Sequence, residues 1–388
     1  MLIGTFLVRG LGFAYPFLPY HLADLGFSTR TIGWVVAAFG GGWLIGQAAT
    51  GWLADRIGHR TTLVAAMAVA ATVLPSLAQL RGLAPICAAA VLAGMVYDAG
   101  RPVVSAVIAE AVPTQAGQAL VNGWRHYAVN CAAGAAGALG GHLAIRLGTE
   151  VLFWINGGAC AAFGVAALRY LPSRPRRCDT EPDTGTGYAQ AVRDRRLWLL
   201  SLASLCALIC AGGIFTALPI LMTSDQLDAS AYGTTQVTNA AVVLVLSPLL
   251  TPWLSRQAAA AASMTALLAV SGVILGAAMG VAGLADSTLG YSIAAALAVP
   301  GEVILFIAAG AIVTRIAPPQ SRGLYAGLWG TNMATAIIIA PLATAWALER
   351  GGGPTAAAVS VGTGLLCALL CWPLHRSLRG SGSEPARV

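Results

Sequence analysis

Gly51-Trp52-Leu53-Ala54-Asp55-Arg56-Ile57-Gly58-His59-Arg60 separates two long apolar runs, residues 31–53 and 61–80. A helix of about 20 apolar residues crosses a bilayer. Each flanking run is that long. The stretch therefore reads as a charged loop held at a membrane face, with one helix arriving and the next leaving. Charges this dense belong at the face, because they are costly within hydrocarbon.

Working outward, apolar runs long enough to span lie near residues 2–23, 31–53, 61–80, 83–111, 118–145, 149–171, 197–223, 231–254, 258–284, 287–316, 322–348 and 355–375. Hydrophobic types make up 57% of the 388 residues and charged types 10%. A soluble domain carries about 25% charged residues, so this chain has too little polar surface to cover a globule in water. The net charge is +7, and every basic residue is arginine. The arginines sit between apolar runs, which fits membrane topology and argues against nucleic-acid binding. With the N-terminus inside, the inner loops and tail hold Arg56, Arg60, Arg169, Arg174, Arg176, Arg177, Arg193, Arg195, Arg196, Arg256, Arg315, Arg322, Arg376, Arg379 and Arg387. The outer loops hold Arg30, Arg81, Arg146 and Arg350. That asymmetry places both termini in the cytoplasm. No cleavable signal is expected, since the first run carries Arg9 and continues to Tyr20 without a small-residue cleavage site.

The polar stretch 172–196 reads as a cytoplasmic linker between an N-terminal six-helix bundle, 1–171, and a C-terminal one, 197–388. A weak repeat supports the division. Trp52-Leu53-Ala54-Asp55-Arg56 is echoed by Trp253-Leu254-Ser255-Arg256, and Val112-Pro113-Thr114-Gln115 by Ala317-Pro318-Pro319-Gln320. Such halves are expected of secondary transporters that rock around a midplane site. The expected fold is an all-α membrane protein with twelve transmembrane helices in two pseudo-symmetric bundles.

The loop at 51–60 resembles the cytoplasmic signature of the major facilitator superfamily, Gly-x-x-x-Asp-Arg-x-Gly-Arg-Arg or Lys, with His59 where an arginine is usual. The resemblance implies a cytoplasmic latch of Gly51, Asp55, Arg56, Gly58 and Arg60, with Glu110 as an acidic partner. The first helix contains Gly10, Pro16 and Pro19 in a pattern similar to the Gly-x5-Pro-x-x-Pro element of twelve-helix drug:proton antiporters. It implies a helix that bends or ends near its outer end. Gly134, Gly137, Gly140 and Gly141 on the fifth helix are similar to that family's glycine-rich element, except that Ala138 replaces its proline. Small residues there permit close helix packing. The arginine that the superfamily often carries near the outer third of the fourth helix has no counterpart, because Ala88-Ala89-Ala90 occupies that region.

Ionisable groups at membrane depth point to function. Asp98 and Arg101 are three apart, so they share a helix face. Glu302 lies midway along the tenth helix, the repeat equivalent of the fourth. Asp98 and Glu302 are the candidate proton carriers. Arg101, Arg125, Asn130, Tyr15, Tyr97, Tyr127, Trp329 and Asn332 are the candidate substrate contacts, with Trp34, Trp124 and Phe306 as further aromatic lining. Arg9 reads as structural.

Of the eight cysteines, Cys206/Cys210 and Cys367/Cys371 each share a helix face without an acidic or histidine partner, which suggests packing rather than a metal site. Neither a Ser/His/Asp set nor a phosphate loop appears, so no enzyme activity, cofactor or metal is expected. The expected activity is proton-coupled export of a drug or secondary metabolite by a monomer in a cell membrane, a bacterial inner membrane in particular. The alternatives are a symporter importing a metabolite and a membrane sensor that transports nothing.

Overall fold

The computed structural model describes residues 2–97, 99–100, 115–171, 186–257, 261–318 and 321–379. Among them the regular elements are α-helices: α1 Leu2–Gly10, α2 Ala14–Asp24, α3 Thr29–Ile57, α4 His59–Gln79, α5 Leu83–Tyr97, α6 Gln115–Leu147, α7 Thr149–Tyr170, α8 Thr186–Arg193, α9 Arg195–Ser224, α10 Ala229–Gln257, α11 Ala261–Leu284, α12 Thr288–Ile316 and α13 Arg322–Arg379. The last is two helices joined at Gly351 and Gly352, where the backbone leaves the helical region. Eight of the described helices are long and apolar enough to cross a membrane.

The first span is broken into α1 and α2 at residues 11–13. Pro16 has no N–H to offer the carbonyl of residue 12, and its ring crowds that carbonyl. The helix therefore restarts at Ala14, two residues before the proline. The bend expected near the outer end of this span is instead near its middle. Gly12 makes it possible, since a Cβ there would lie 2.9 Å from the Val8 carbonyl oxygen and 3.1 Å from that of Arg9. The break exposes N–H groups at the start of α2. One is satisfied from across the bundle: Ala14 N–H donates to Asn156 Oδ1 of α7 at 3.2 Å. Asn156→Ala leaves that buried donor without its partner and is expected to cost about 1–3 kcal/mol. A thermal unfolding midpoint equal to wild type would show that the cap contributes nothing.

The repeat is visible in local geometry. α3 and α10 each run 29 residues. Both follow the same turn. Phe27 N–H bonds the Leu22 carbonyl and Leu227 N–H the Met222 carbonyl, with Gly26 at φ 80° and Gln226 at φ 59°. This left-handed residue closing a six-to-one bond is the common helix stop. The next helix starts from an oxygen cap two residues on. Ser28 accepts from Thr31 N–H, and Asp228 accepts from the N–H groups of Ser230 and Ala231. The Ser230 hydroxyl, joined by those N–H groups, holds the Asp228 carboxyl below the usual carboxylate range.

The chain clusters into two compact units. Unit 1 comprises Met1–Cys178, Pro219–Leu244 and Asp286–Ser292. Its core includes the fully buried Phe13, Phe17, Leu18, Phe39, Leu63, Phe153 and Tyr232. Unit 2 comprises Asp179–Leu218, Val245–Ala285 and Ile293–Val388. There α11 meets the second half of α13 through small residues: a Cβ on Gly276 would lie 2.8 Å from Gly364 Cα, and one on Gly283 would lie 2.6 Å from Ala357 N. Lipid cannot drive apolar helices together, so such close backbone contact supplies the attraction.

Candidate functional site

In unit 1, Tyr15 and Tyr97 meet with ring centroids 5.4 Å apart. Phe39 packs against both, at 4.9 Å and 5.3 Å, and Trp43 lies edge-on to Tyr97 at 5.9 Å. The break after α1 turns Tyr15 toward α3 and α5. On α3, Phe39 and Trp43 are four apart and so share a face. Tyr15 OH and Trp43 Nε1 are buried without a hydrogen-bond partner among the described residues. Arg9 sits over the Tyr97 ring at 5.1 Å, and its Nη1 donates to Tyr97 OH at 3.4 Å. Arg9, Tyr97, Asn156 and Cys160 border a small cavity of about 10 Å³, room for roughly one water molecule. The sequence gives no reason to join Arg9, Phe39, Trp43 or Asn156 to this cluster, because each is a single residue on a different helix turn. Trp34 does not join it: it lies with Ile45 and Trp52 on the exposed stripe of α3.

A second feature of unit 1 is the crossing of α6 with the first half of α10. A Cβ on Gly141 would lie 2.8 Å from the Ala229 carbonyl oxygen and 3.2 Å from Gly233 Cα. One on Gly134 would lie 2.6 Å from Ala240 Cβ, and Gly137 faces Gln236. Gly140 turns to Phe17 instead. Phe17 lies edge-on to Tyr232 at 5.5 Å, and Tyr20 lies 6.0 Å from the same ring. Gly134, Gly137 and Gly141 thus lie against α10, and Gly140 against α2. Gly10 approaches α6 as well, near Ala132. Gly233 is the glycine that sequence reading passed over.

The loop between α3 and α4 turns at Gly58, whose φ of 87° suits a residue without a side chain. Arg56 stacks on Trp52 at 4.3 Å. Arg60 Nη2 donates to the Leu168 carbonyl near the end of α7, where a cation is favoured. Glu110, Asp98 and Arg101 lie outside the described residues. Gly51 and Asp55 fall within α3, and Arg125, Tyr127 and Asn130 within α6, but their side chains are likewise outside that set.

In unit 2, Glu302 is half-buried on α12. At 100° per residue, Leu289, Ile293 and Leu297 form one exposed face of α12, and Glu302 with Phe306 falls on the opposite side. Phe306 is 40% exposed. A helix with exposure on two opposed faces cannot offer both to lipid when one carries a carboxylate. Gly301 keeps the intervening side tight, since a Cβ there would lie 2.7 Å from Leu275 Cγ. Trp329 Nε1 and Asn332 Nδ2 on α13 are buried donors without a partner among the described residues. No described hydrogen bond or ring contact links Glu302, Trp329 and Asn332 to one another.

Known structures share this architecture. The chain is similar to a peptide transporter POT solved in complex with sulfate, at 14% identity and TM-score 0.78, covering 98% of this chain and 94% of that one. It is similar to a POT family transporter solved with 5-aminolevulinic acid, at 12% identity and TM-score 0.76, covering 99% and 96%. A mutant of nucleoside transporter NupG aligns at 13% identity and TM-score 0.74, covering 97% and 99%. No curated protein matches the sequence. The family model for the Major Facilitator Superfamily matches residues 1–302. This chain, an all-helical membrane transporter with two pseudo-symmetric helical halves, belongs to the Major Facilitator Superfamily.

Proposed function

We propose that this secondary transporter exports a small molecule in exchange for protons. The observation that carries the reading is Glu302: a carboxyl at mid-helix, on the side of α12 away from the exposed aliphatic face, with no described partner. Burial favours the neutral form of a carboxyl and a nearby cation favours the charged form. Such a group takes up or releases a proton as its surroundings alternate. Asp98, on the repeat-equivalent fourth span of the sequence, is its proposed counterpart. Substrate and proton compete, so proton entry drives substrate exit. Tyr15, Tyr97, Arg101, Arg125, Tyr127, Asn130, Trp329 and Asn332 are the proposed contacts for substrate.

Both termini are placed in the cytoplasm by the arginine asymmetry. The glycine crossing of α6 and α10 then lies toward the outer surface and the loop 51–60 toward the inner one. The bundles are 1–171 and 197–388, joined by 172–196. The close crossing fits the seal that the antiporter-like glycine element implies, and the direction of proton-driven flux separates antiport from symport. The protein works as a monomer in a bacterial inner membrane.

Flux in vesicles with an imposed proton gradient tests the reading. Loss of preloaded substrate accelerated by inward proton flow supports it, whereas uphill uptake along with protons assigns symport. Candidate substrates come from a stabilisation screen of purified protein with cationic, anionic and neutral compounds, each at two pH values. Asp55→Asn is expected to lower turnover several-fold with apparent affinity little changed. A large affinity loss at normal turnover would argue against a latch.

A further inference from the structure

Two helices carry the same exposed pattern toward their C-terminal ends. On α3, Ile45, Trp52 and Arg56 follow one exposed face. On the second half of α13, Leu365, Trp372 and Arg376 do so, with Leu369 between them. The spacing is identical: aliphatic residue, tryptophan seven on, arginine four further. Trp52 is 55% exposed and Trp372 61%. The guanidinium of Arg56 lies 4.3 Å from the centroid of the Trp52 ring, and that of Arg376 lies 3.7 Å from that of Trp372. Among the described residues no carboxylate pairs with Arg56 or Arg376.

The dimensions match one lipid. Eleven residues of helix rise about 16 Å, close to half of the roughly 30 Å hydrocarbon core. The aliphatic residue therefore sits near the bilayer centre when the arginine is at the phosphate level. Tryptophan belongs at the interface between them. A guanidinium held over an indole face spends none of its N–H groups on it, and that fork fits phosphate oxygens in pairs. Arg379, exposed one turn beyond Arg376, adds a second positive charge. The net charge of +7 favours an anionic occupant.

A third pair marks the contrast. Arg350 lies 5.5 Å from the centroid of the Trp346 ring. The residue seven before Trp346 is Ile339, which lines an internal cavity of unit 2 with Cys210, Met279 and Ser360. No exposed aliphatic track leads to that pair.

We propose that the Trp372–Arg376 surface, with Leu365 and Leu369 as its acyl-chain track, binds one anionic glycerophospholipid through its phosphate, and that Trp52–Arg56 repeats the arrangement on α3. The occupant is a lipid rather than free phosphate, because the apolar track has a purpose only for a tail. The Trp372–Arg376 surface is separate from both the substrate contacts and the proposed latch, so it stands or falls independently of proton exchange.

The test titrates purified full-length protein in neutral detergent and counts bound lipid by native mass spectrometry. The probes are phosphatidylglycerol, phosphatidylcholine and inorganic phosphate. Wild type is expected to retain phosphatidylglycerol over phosphatidylcholine. Arg376→Gln should weaken phosphatidylglycerol retention about fivefold, the attraction of one basic residue to an anionic lipid surface. Trp372→Leu should weaken both phospholipids, and Arg350→Gln should change neither. A monodisperse elution profile with wild-type helix content certifies each variant as folded. Equal retention of the two phospholipids by wild type overturns the proposal. So does an Arg376→Gln loss no larger than that of Arg350→Gln, or displacement of the lipid by millimolar phosphate.

Discussion

In vesicles carrying Glu302→Gln, substrate movement is expected to stop responding to an imposed proton gradient, with gradient-driven flux reduced at least about tenfold. Glutamine preserves the shape of the side chain and its place beside Phe306, so packing against α11 through Gly301 is unaffected. What is lost is the ability to exchange a proton. Substrate-for-substrate exchange at equal pH should survive, because it requires alternation but no net proton movement. That pair of measurements separates coupling from folding. Gradient-driven flux equal to wild type would remove Glu302 from the coupling role, and loss of both activities would make it a structural residue.

Gly141→Val is expected to be as damaging by a different route. The Cβ of even an alanine would come within 2.8 Å of the Ala229 carbonyl oxygen and 3.0 Å of Ser230 Cα. Both are backbone atoms, which cannot rotate aside as a side chain can. The helices must separate, and overpacking of this kind costs about 1–3 kcal/mol. Alternation needs both states within reach, so such a bias shifts their ratio by roughly five- to 150-fold. Flux should fall accordingly while the protein still inserts. A cysteine placed at Ala229, which is buried at this crossing and already carries a Cβ, tested with and without Gly141→Val for labelling by an impermeant reagent, reports the separation directly. Unchanged labelling with normal flux would show that the crossing has room to spare.

The two predictions differ in how far the sequence foresaw them. Glu302 was visible at once, since a lone carboxyl in an apolar run stands out against the cost of burying it. Which side of α12 it occupies was not, because a helix apolar all round shows no periodic pattern to mark its inner face. The glycines of α6 were visible as a small-residue stripe, but a stripe does not name its partner. Only the fold brings residues 134–141 against 229–240, about a hundred positions away. Arg9 shows the same limit. Alone in the first span it read as structural, and the structure sets it on Tyr97, beside the aromatic cluster.

What the sequence determined by itself was the set of membrane-spanning helices, the cluster of charges at 51–60 and the twofold repeat; that this stretch is helix on both sides of Gly58, rather than a ten-residue loop, came from the structure. These depend on local quantities: the apolar length needed to cross a bilayer and the placement of arginines. Tertiary structure decided how Asn156 caps the break in the first span, which rings gather around Tyr97, and which glycines touch. Each of those depends on atoms far apart in the chain. In a lipid-embedded bundle hydrophobicity is nearly uniform, so close packing and polar satisfaction, rather than an apolar pattern, select the neighbours.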